Sequence, residues 1–236
     1  MSEDQLSMEQ IDVLLSAAGA ATFNLRCAAA SLGYDSWFGL VPDPAEPELV
    51  ARPRGPRTPT SPGYRPTRST KVLGLLIDTD LREIGDWHRR AERAHWVGGT
   101  RTDDGVPSSV LGPRSAVYPS PVRDLGTLPA DRTRARTFFE AEPALAVLST
   151  EADSEADQLA AGLALERVLL TATRAGLKAS FLNQPLEFDD LRSAVQRSTG
   201  KAGYTHMVIR FGHSTVQGTT PRRAVASFVH AAAEES

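Results

Sequence analysis

A stretch near the start of the chain returns near its end. Residues 17–42 read AAGAATFNLRCAAASLGYDSWFGLVP and residues 160–185 read AAGLALERVLLTATRAGLKASFLNQP, an offset of 143. At that offset Gly19 meets Gly162, Leu25 meets Val168, Gly33 meets Gly176, Phe38 meets Phe181 and Pro42 meets Pro185. Each copy reads as a small-faced helix, a glycine stop, a short strand and a proline turn. A repeated unit buries its face against its copy, so the spacing constrains the topology more than local propensity does. Ala-rich helices also resemble one another by composition, but the shared Gly, Phe and Pro landmarks favour duplication. Faces of Ala and Gly allow close approach, and the two helices are expected to cross at a pseudo-twofold axis inside one chain. Two full copies at that spacing exceed the 236 residues present, so the first copy is expected to be incomplete.

Hydrophobic spacing predicts the remaining elements. Residues 8–32 read as a long helix, with Ile11, Leu14, Leu15, Ala18, Ala21, Thr22, Leu25, Ala29 and Leu32 at steps of three and four and Gly33 behind them. Residues 36–41 read as a strand. Half of the 16 prolines fall within residues 42–66, among several arginines, which predicts an extended arm with little regular structure. Residues 71–78 (KVLGLLID) suit a buried strand. Asp80 and Glu83 have capping-box spacing at the start of a helix running to residue 96, with Leu81, Ile84, Trp87, Ala91 and Ala94 as its apolar face. Residues 97–137 read as loop, a candidate lid. A strand at 143–150, a helix at 157–175 stopped by Gly176, an extended piece at 179–182, a helix at 186–198, a strand at 205–211, a loop at 212–223 and a helix at 224–233 complete the chain.

Composition narrows the function. Hydrophobic residues make up 41% and charged residues 23%, a globular balance. The net charge is −3, and the cations (Lys71, Lys178 and Lys201, the rest arginines) form no dense block, which argues against nucleic-acid binding. No run of about 18 apolar residues predicts a membrane span. The acidic start, Met1 to Asp4, lacks the basic and apolar regions of a signal peptide. A soluble, cytoplasmic protein is expected. Cys27 is the single cysteine, expected to be a buried, inert thiol without disulfide or metal partner. His88, Glu92 and His95 place two histidines seven apart rather than the four of a zinc helix, so a solvated face is expected and no metal site. His206 and His213 flank the last strand and read as surface residues.

The stretch ALERVLLTATRAGLKASFLNQPLE (residues 164–187), then MVIRFGHS (207–214) and TPRR (220–223), resembles the C-terminal half of the nitroreductase superfamily, most of all its Acg-type branch, whose single chains hold two nitroreductase-like halves. AAGAATFNLRCAAASLGY resembles the matching helix of the first half, and DDGVP (103–107) resembles a segment between the halves. The resemblance implies an α+β fold: a nitroreductase-like mixed central sheet flanked by helices, in a tandem pseudo-dimer with an incomplete first half. Residues 1–51 would be the remnant of that half, 52–70 a Pro/Arg-rich linker, and 71–236 the second half with a loop-rich insert at 97–137. This chain departs from the family where a phosphate-binding segment normally precedes the first long helix, since only about seven residues do so here.

The resemblance further implies FMN at the interface of the halves, and hydride transfer from NAD(P)H through the flavin to a nitroaromatic, quinone or related small-molecule acceptor. The alternative is a non-catalytic relative that sequesters flavin or binds another protein. The FMN contacts carried over are Phe181 and Leu182 as a wall for the ring, the backbone amides of Asn183 or Gln184 at its edge, and Thr220, Arg222 and Arg223 at the phosphate, where Arg forks suit a dianion. Flavin chemistry needs no protein nucleophile, and no catalytic side chain is assigned. A homodimer, or pairing with another nitroreductase-like chain, is expected to complete the site.

Overall fold

The computed structural model describes residues 8–31, 37–40, 51–54, 63–66, 69–117, 120, 124–126, 129–140, 142–200, 202–214 and 218–227. They belong to two compact units, Met1–Leu75 with Glu142–His213 and Leu76–Ala141 with Ser214–Ser236.

In the first unit, α1 (Met8–Ser31) is the long helix that the spacing predicts. Among its described side chains the buried positions are Ser16, Gly19 and Thr22, while Leu14 and Leu25 are more than half exposed. The close neighbour is α4 (Glu155–Arg174), where Leu159, Ala161, Gly162, Leu165 and Ala172 are buried. A Cβ placed on Gly19 would run into the Leu159 carbonyl oxygen and lie 3.0 Å from the Gly162 Cα. A Cβ on Gly162 would run into the Ser16 carbonyl oxygen and lie 3.0 Å from the Ala20 nitrogen. Ser16 and Leu159 are themselves 143 residues apart. The contact is therefore reciprocal at the spacing of the repeat, and it leaves no room for a Cβ at Gly19 or Gly162.

Caps define α4 at both ends. Ser154 Oγ accepts from the Asp157 amide at 3.2 Å, and Asp157 Oδ2 accepts from the Ser154 amide at 3.2 Å, a reciprocal capping box. At the other end Gly176 adopts φ 72°, and the Leu177 amide reaches back to the Ala172 carbonyl at 2.9 Å. The stop at Gly176 is as expected; Gly33, its counterpart in the repeat, lies outside the described residues.

The first unit's sheet has strand order β3 (Gly63–Pro66), β6 (Ala144–Thr150), β8 (Tyr204–Gly212), β7 (Lys178–Phe181). The strands β6 and β7 run the same way, but β8 inserts between them, so among the described residues every pairing of this sheet is antiparallel, where a mixed sheet is expected. Leu148, Ala161, Leu165 and Ile209 form the core between sheet and α4, with Ala164, Leu169, Met207 and Phe211 against them. The helix α5 (Asp189–Ser198) buries Leu191 and Val195. A second pair, β1 (Trp37–Leu40) and β2 (Ala51–Arg54), is antiparallel. The proline-rich stretch thus carries two strands, β2 and β3, where an irregular arm is expected from sequence. Both are edge strands, where a residue without an amide donor is tolerated. The long pairing of β6 with β8 shifts register at Leu148/Ser149.

Residues 71–78 are not a strand. They lie in α2 (Ser69–Gly85), whose buried residues Val72, Leu76, Thr79 and Glu83 recur at steps of four, three and four. Thr79 and Glu83 are polar, so an apolar count misses half of this stripe. The unit boundary falls within α2, after Leu75.

In the second unit the helix expected from residue 80 is interrupted. Asp86 Oδ1 accepts from the His88 and Arg89 amides at 2.9 and 3.2 Å and starts α3 (Trp87–Trp96). The expected apolar face does not form: Leu81, Ile84 and Trp87 are each more than half exposed. Instead Arg93 pairs with the buried Glu83 and ties α3 to α2. Beyond α3 the backbone is mostly irregular, as expected. It holds a parallel two-residue pairing of β4 (Arg114–Ser115) with β5 (Arg136–Thr137) and short 3-10 turns. Ser108 Oγ donates to the buried Asp131 at 2.6 Å. The expected C-terminal helix shows a three-residue turn, Val225–Ser227; residues 228–236 lie outside the described residues. No described helix is long and apolar enough to cross a membrane.

Cys27 is exposed, not buried. It stands five residues past Thr22, about 140° round the helix from the small buried stripe. His206 is not a bare surface residue, since its Nε2 lies 2.6 Å from Thr150 Oγ1 and its ring lies tilted against Tyr204, centroids 5.2 Å apart.

Candidate functional site

The turn after β7 carries four of the seven residues that the sequence singles out. Phe181, the last residue of β7, is 45% exposed. Leu182 is buried, and its amide donates to the Val208 carbonyl at 2.9 Å. Asn183 is held by its own side chain. Its Oδ1 accepts from the Val208 amide at 2.9 Å, and its Nδ2 approaches Met207 Sδ at 2.9 Å. That clamp fixes the backbone at φ −85° and ψ −10° as the chain enters a 3-10 turn, Gln184–Glu187. Pro185 then sits buried in the second position of the turn.

The clamp leaves polar groups to spare. Among the described residues the amides of Asn183 and Gln184 have no acceptor. The side chain of Gln184 is only 8% exposed, yet its Oε1 is buried without a hydrogen-bond partner. A buried amide oxygen left unsatisfied costs about 1–3 kcal/mol, so such groups are uncommon without a reason. One turn thus offers two donors and one acceptor next to a half-exposed Phe ring. The edge of an isoalloxazine presents the matching set, acceptors at N5 and O4 and a donor at N3.

Thr220, Arg222 and Arg223 belong to the second unit. Arg222 is exposed; its Nη1 donates to Thr220 Oγ1 at 2.6 Å and to the Pro221 carbonyl at 3.1 Å, which leaves further guanidinium donors. Arg223 Nε lies 3.5 Å from Asp104 Oδ2. Two segments singled out separately, DDGVP and TPRR, therefore meet. Gly105 (φ 75°) makes the bend behind Asp104 where a Cβ would lie 2.6 Å from the Trp96 carbonyl oxygen, and a Cβ on Gly218 would press Val110 at 2.9 Å.

No family model matches the chain. Curated proteins do. Rv3131 of Mycobacterium tuberculosis, which carries a provisional NAD(P)H nitroreductase name, is 31% identical over 164 residues, 67% of this chain and 45% of that protein. The provisionally named NAD(P)H nitroreductase Acg of the same organism is 28% identical over 162 residues, 66% of this chain and 49% of that protein. The chain is an Acg-like relative of the nitroreductase superfamily. A third relative, Rv3127, is 29% identical over 161 residues and is named only as uncharacterized. The Acg-like chain spans about half the length of these curated relatives.

What the sequence does not mark is the state of each group. Gln184 stands out in the sequence as one of two amides before a proline. Only the packing shows that its side-chain oxygen is buried without a partner while Asn183 spends its side chain on β8.

Proposed function

We propose that this Acg-like chain binds FMN and serves an NAD(P)H-dependent oxidoreductase of the nitroreductase type, acting on a nitroaromatic, quinone or related acceptor. The observation that carries the reading is the Asn183–Gln184 turn, with two unengaged amides and the orphaned Gln184 Oε1. These groups fit a flavin edge: the amides would donate to N5 and O4, and Gln184 Oε1 would accept from N3–H. Phe181 and Leu182 would flank the ring. Within the second unit, Arg222, with donors left over, and Thr220 would suit a phosphate, with Arg223 held in place by Asp104. FMN, when bound, supplies the two-electron acceptor and donor of the reaction. The protein's part is to hold and orient it, to exclude water behind Leu182 and Pro185, and to aim donors at the ring edge.

We further propose that α1 and α4 are equivalent helices of a tandem pseudo-dimer, supported by the reciprocal approach of Gly19 and Gly162. The small face of α1 is then used within the chain. A homodimer or a second nitroreductase-like chain would complete the site through another surface, which light scattering tests: a monomer at high concentration opposes it.

NADPH or NADH oxidation with menadione, in the presence of added FMN, tests the catalytic reading. Steady FMN-dependent turnover supports it. FMN binding without turnover identifies the flavin-sequestering alternative instead. Neither binding nor turnover overturns both.

A further inference from the structure

The second unit contains a cleft of about 420 Å³, within the size range of small-molecule sites. One wall is apolar: Ile77, Leu81 and Ile84 of α2 face it, with Val117 beyond β4. Three of these are the side chains of the expected amphipathic face or its extension, and Leu81 and Ile84 are more than half exposed. The other wall is cationic, with Arg90 and Arg93 from α3, Arg114 from β4 and Arg136 from β5.

The charges in the cleft do not cancel. Arg93 is matched by Glu83. Arg114 is matched by Asp124, at 2.7 Å, and Asp124 also takes Arg134. Asp80, the third carboxylate of the lining, has an interaction of its own. Arg90 and Arg136 have no acceptor for their guanidinium groups among the described residues. Moreover, Arg136 is the direct register partner of Arg114 across the β4–β5 pair. Like charges placed opposite each other on neighbouring strands repel, and while Asp124 offsets Arg114, no described carboxylate pairs with the exposed Arg136. An anion in the cleft would do so.

We propose that this cleft binds a small organic anion, a phosphate or carboxylate group joined to an apolar body. Arg90 and Arg136 clamp the anionic group, and the Ile77, Leu81 and Ile84 wall covers the body. Guanidinium forks suit both phosphate and carboxylate, and the apolar wall distinguishes such a ligand from inorganic phosphate. None of the proposed flavin contacts lines this cleft, so the inference stands or falls apart from the flavin reading.

Calorimetric titration of the full chain with phenyl phosphate, benzoate, benzyl alcohol and inorganic phosphate tests it. Phenyl phosphate or benzoate, or both, should bind, the stronger of them giving the class of anion. Benzyl alcohol and inorganic phosphate should bind about tenfold more weakly or not at all. Arg90→Gln and Arg136→Gln should each weaken the anion by about tenfold, as loss of a charge-assisted hydrogen bond implies. Ile84→Ser should weaken phenyl phosphate and leave inorganic phosphate unchanged. Arg136→Lys, which keeps the charge but not the fork, covers the case in which a glutamine variant unfolds, and should retain part of the affinity. No binding of either aromatic anion, equal binding of inorganic phosphate, or affinity unchanged in the Arg90→Gln/Arg136→Gln double variant overturns the proposal.

Discussion

The crossing of α1 and α4 makes a quantitative demand on two glycines. In Gly162→Ala the added methyl would lie 2.9 Å from the Ser16 carbonyl carbon and closer still to its oxygen, where ordinary contact begins near 3.4 Å. The atoms in the way are helix backbone, and the oxygen is the nearer of the two, so the helices must separate by about 1 Å. A gap of that size forfeits roughly a quarter or more of each dispersion contact along the crossing. Overpacking of this kind costs about 1–3 kcal/mol. Alanine gains back about 1 kcal/mol of helix propensity over glycine. The net expectation is a loss of up to about 2 kcal/mol, read as a lower urea midpoint by circular dichroism. Gly74→Ala in α2, where an added methyl meets nothing within 4 Å, is the control and should stabilise by up to about 1 kcal/mol. Gly19→Ala should resemble Gly162→Ala. Because one separation relieves both clashes, the double variant should lose clearly less than the sum of the two single losses. If Gly162→Ala is as stable as Gly74→Ala, or the two losses simply add, the reciprocal crossing is wrong.

Three further outcomes follow from individual side chains. Asp86→Ala removes the acceptor for two amides at the start of α3 and should cost about 1 kcal/mol, measured by thermal unfolding, whereas Asp86→Ser should retain most of it. Burial pushes the His206 pKa below its usual 6.5; Asp153 and Asp157 pull it up by less, and Arg192 adds to the lowering. The unfolded chain then takes up its proton first, so stability is full above about pH 6.5 and falls as the pH drops below it, a slope that His206→Gln should flatten in pH-dependent unfolding. Burial pushes the Asp124 carboxyl up, but the Gly126 amide and the Arg114 and Arg134 guanidiniums outweigh it and hold the pKa below the usual 3.8. Its contribution should be complete above that pH and lost as the pH falls through the lowered value, and Asp124→Asn should abolish that acid-side loss.

Much of the first unit is legible in the sequence because its signals are local and agree. The strand β6 is an apolar run of strand length, α4 is periodic over five turns with Gly176 at its end, and the repeat alone pairs Gly19 with Gly162. The second unit is less legible for physical reasons. Residues 71–78 are a continuous apolar run, which suits a buried strand and a helix segment equally well. The helical stripe is completed by Thr79 and by Glu83, whose burial depends on Arg93 ten residues away. The cleft is illegible for a similar reason: Arg114 and Arg136 become neighbours only through the β4–β5 pairing. At the two candidate flavin-contact segments, residue types are readable at 181–184 and at 220–223. That Leu182 spends its amide on Val208 while Asn183 and Gln184 keep theirs depends on the register of β7 against β8.

Titration of FMN with the purified full chain, followed by quenching of flavin fluorescence, bears on flavin binding itself. Saturable quenching is expected, weakened in Gln184→Leu, which deletes the buried acceptor, and in Arg222→Gln, which removes guanidinium donors. FMN that stays fully fluorescent at a large excess of protein, or quenching that neither substitution changes, would contradict the assignment of the Asn183–Gln184 turn and Arg222 to the flavin.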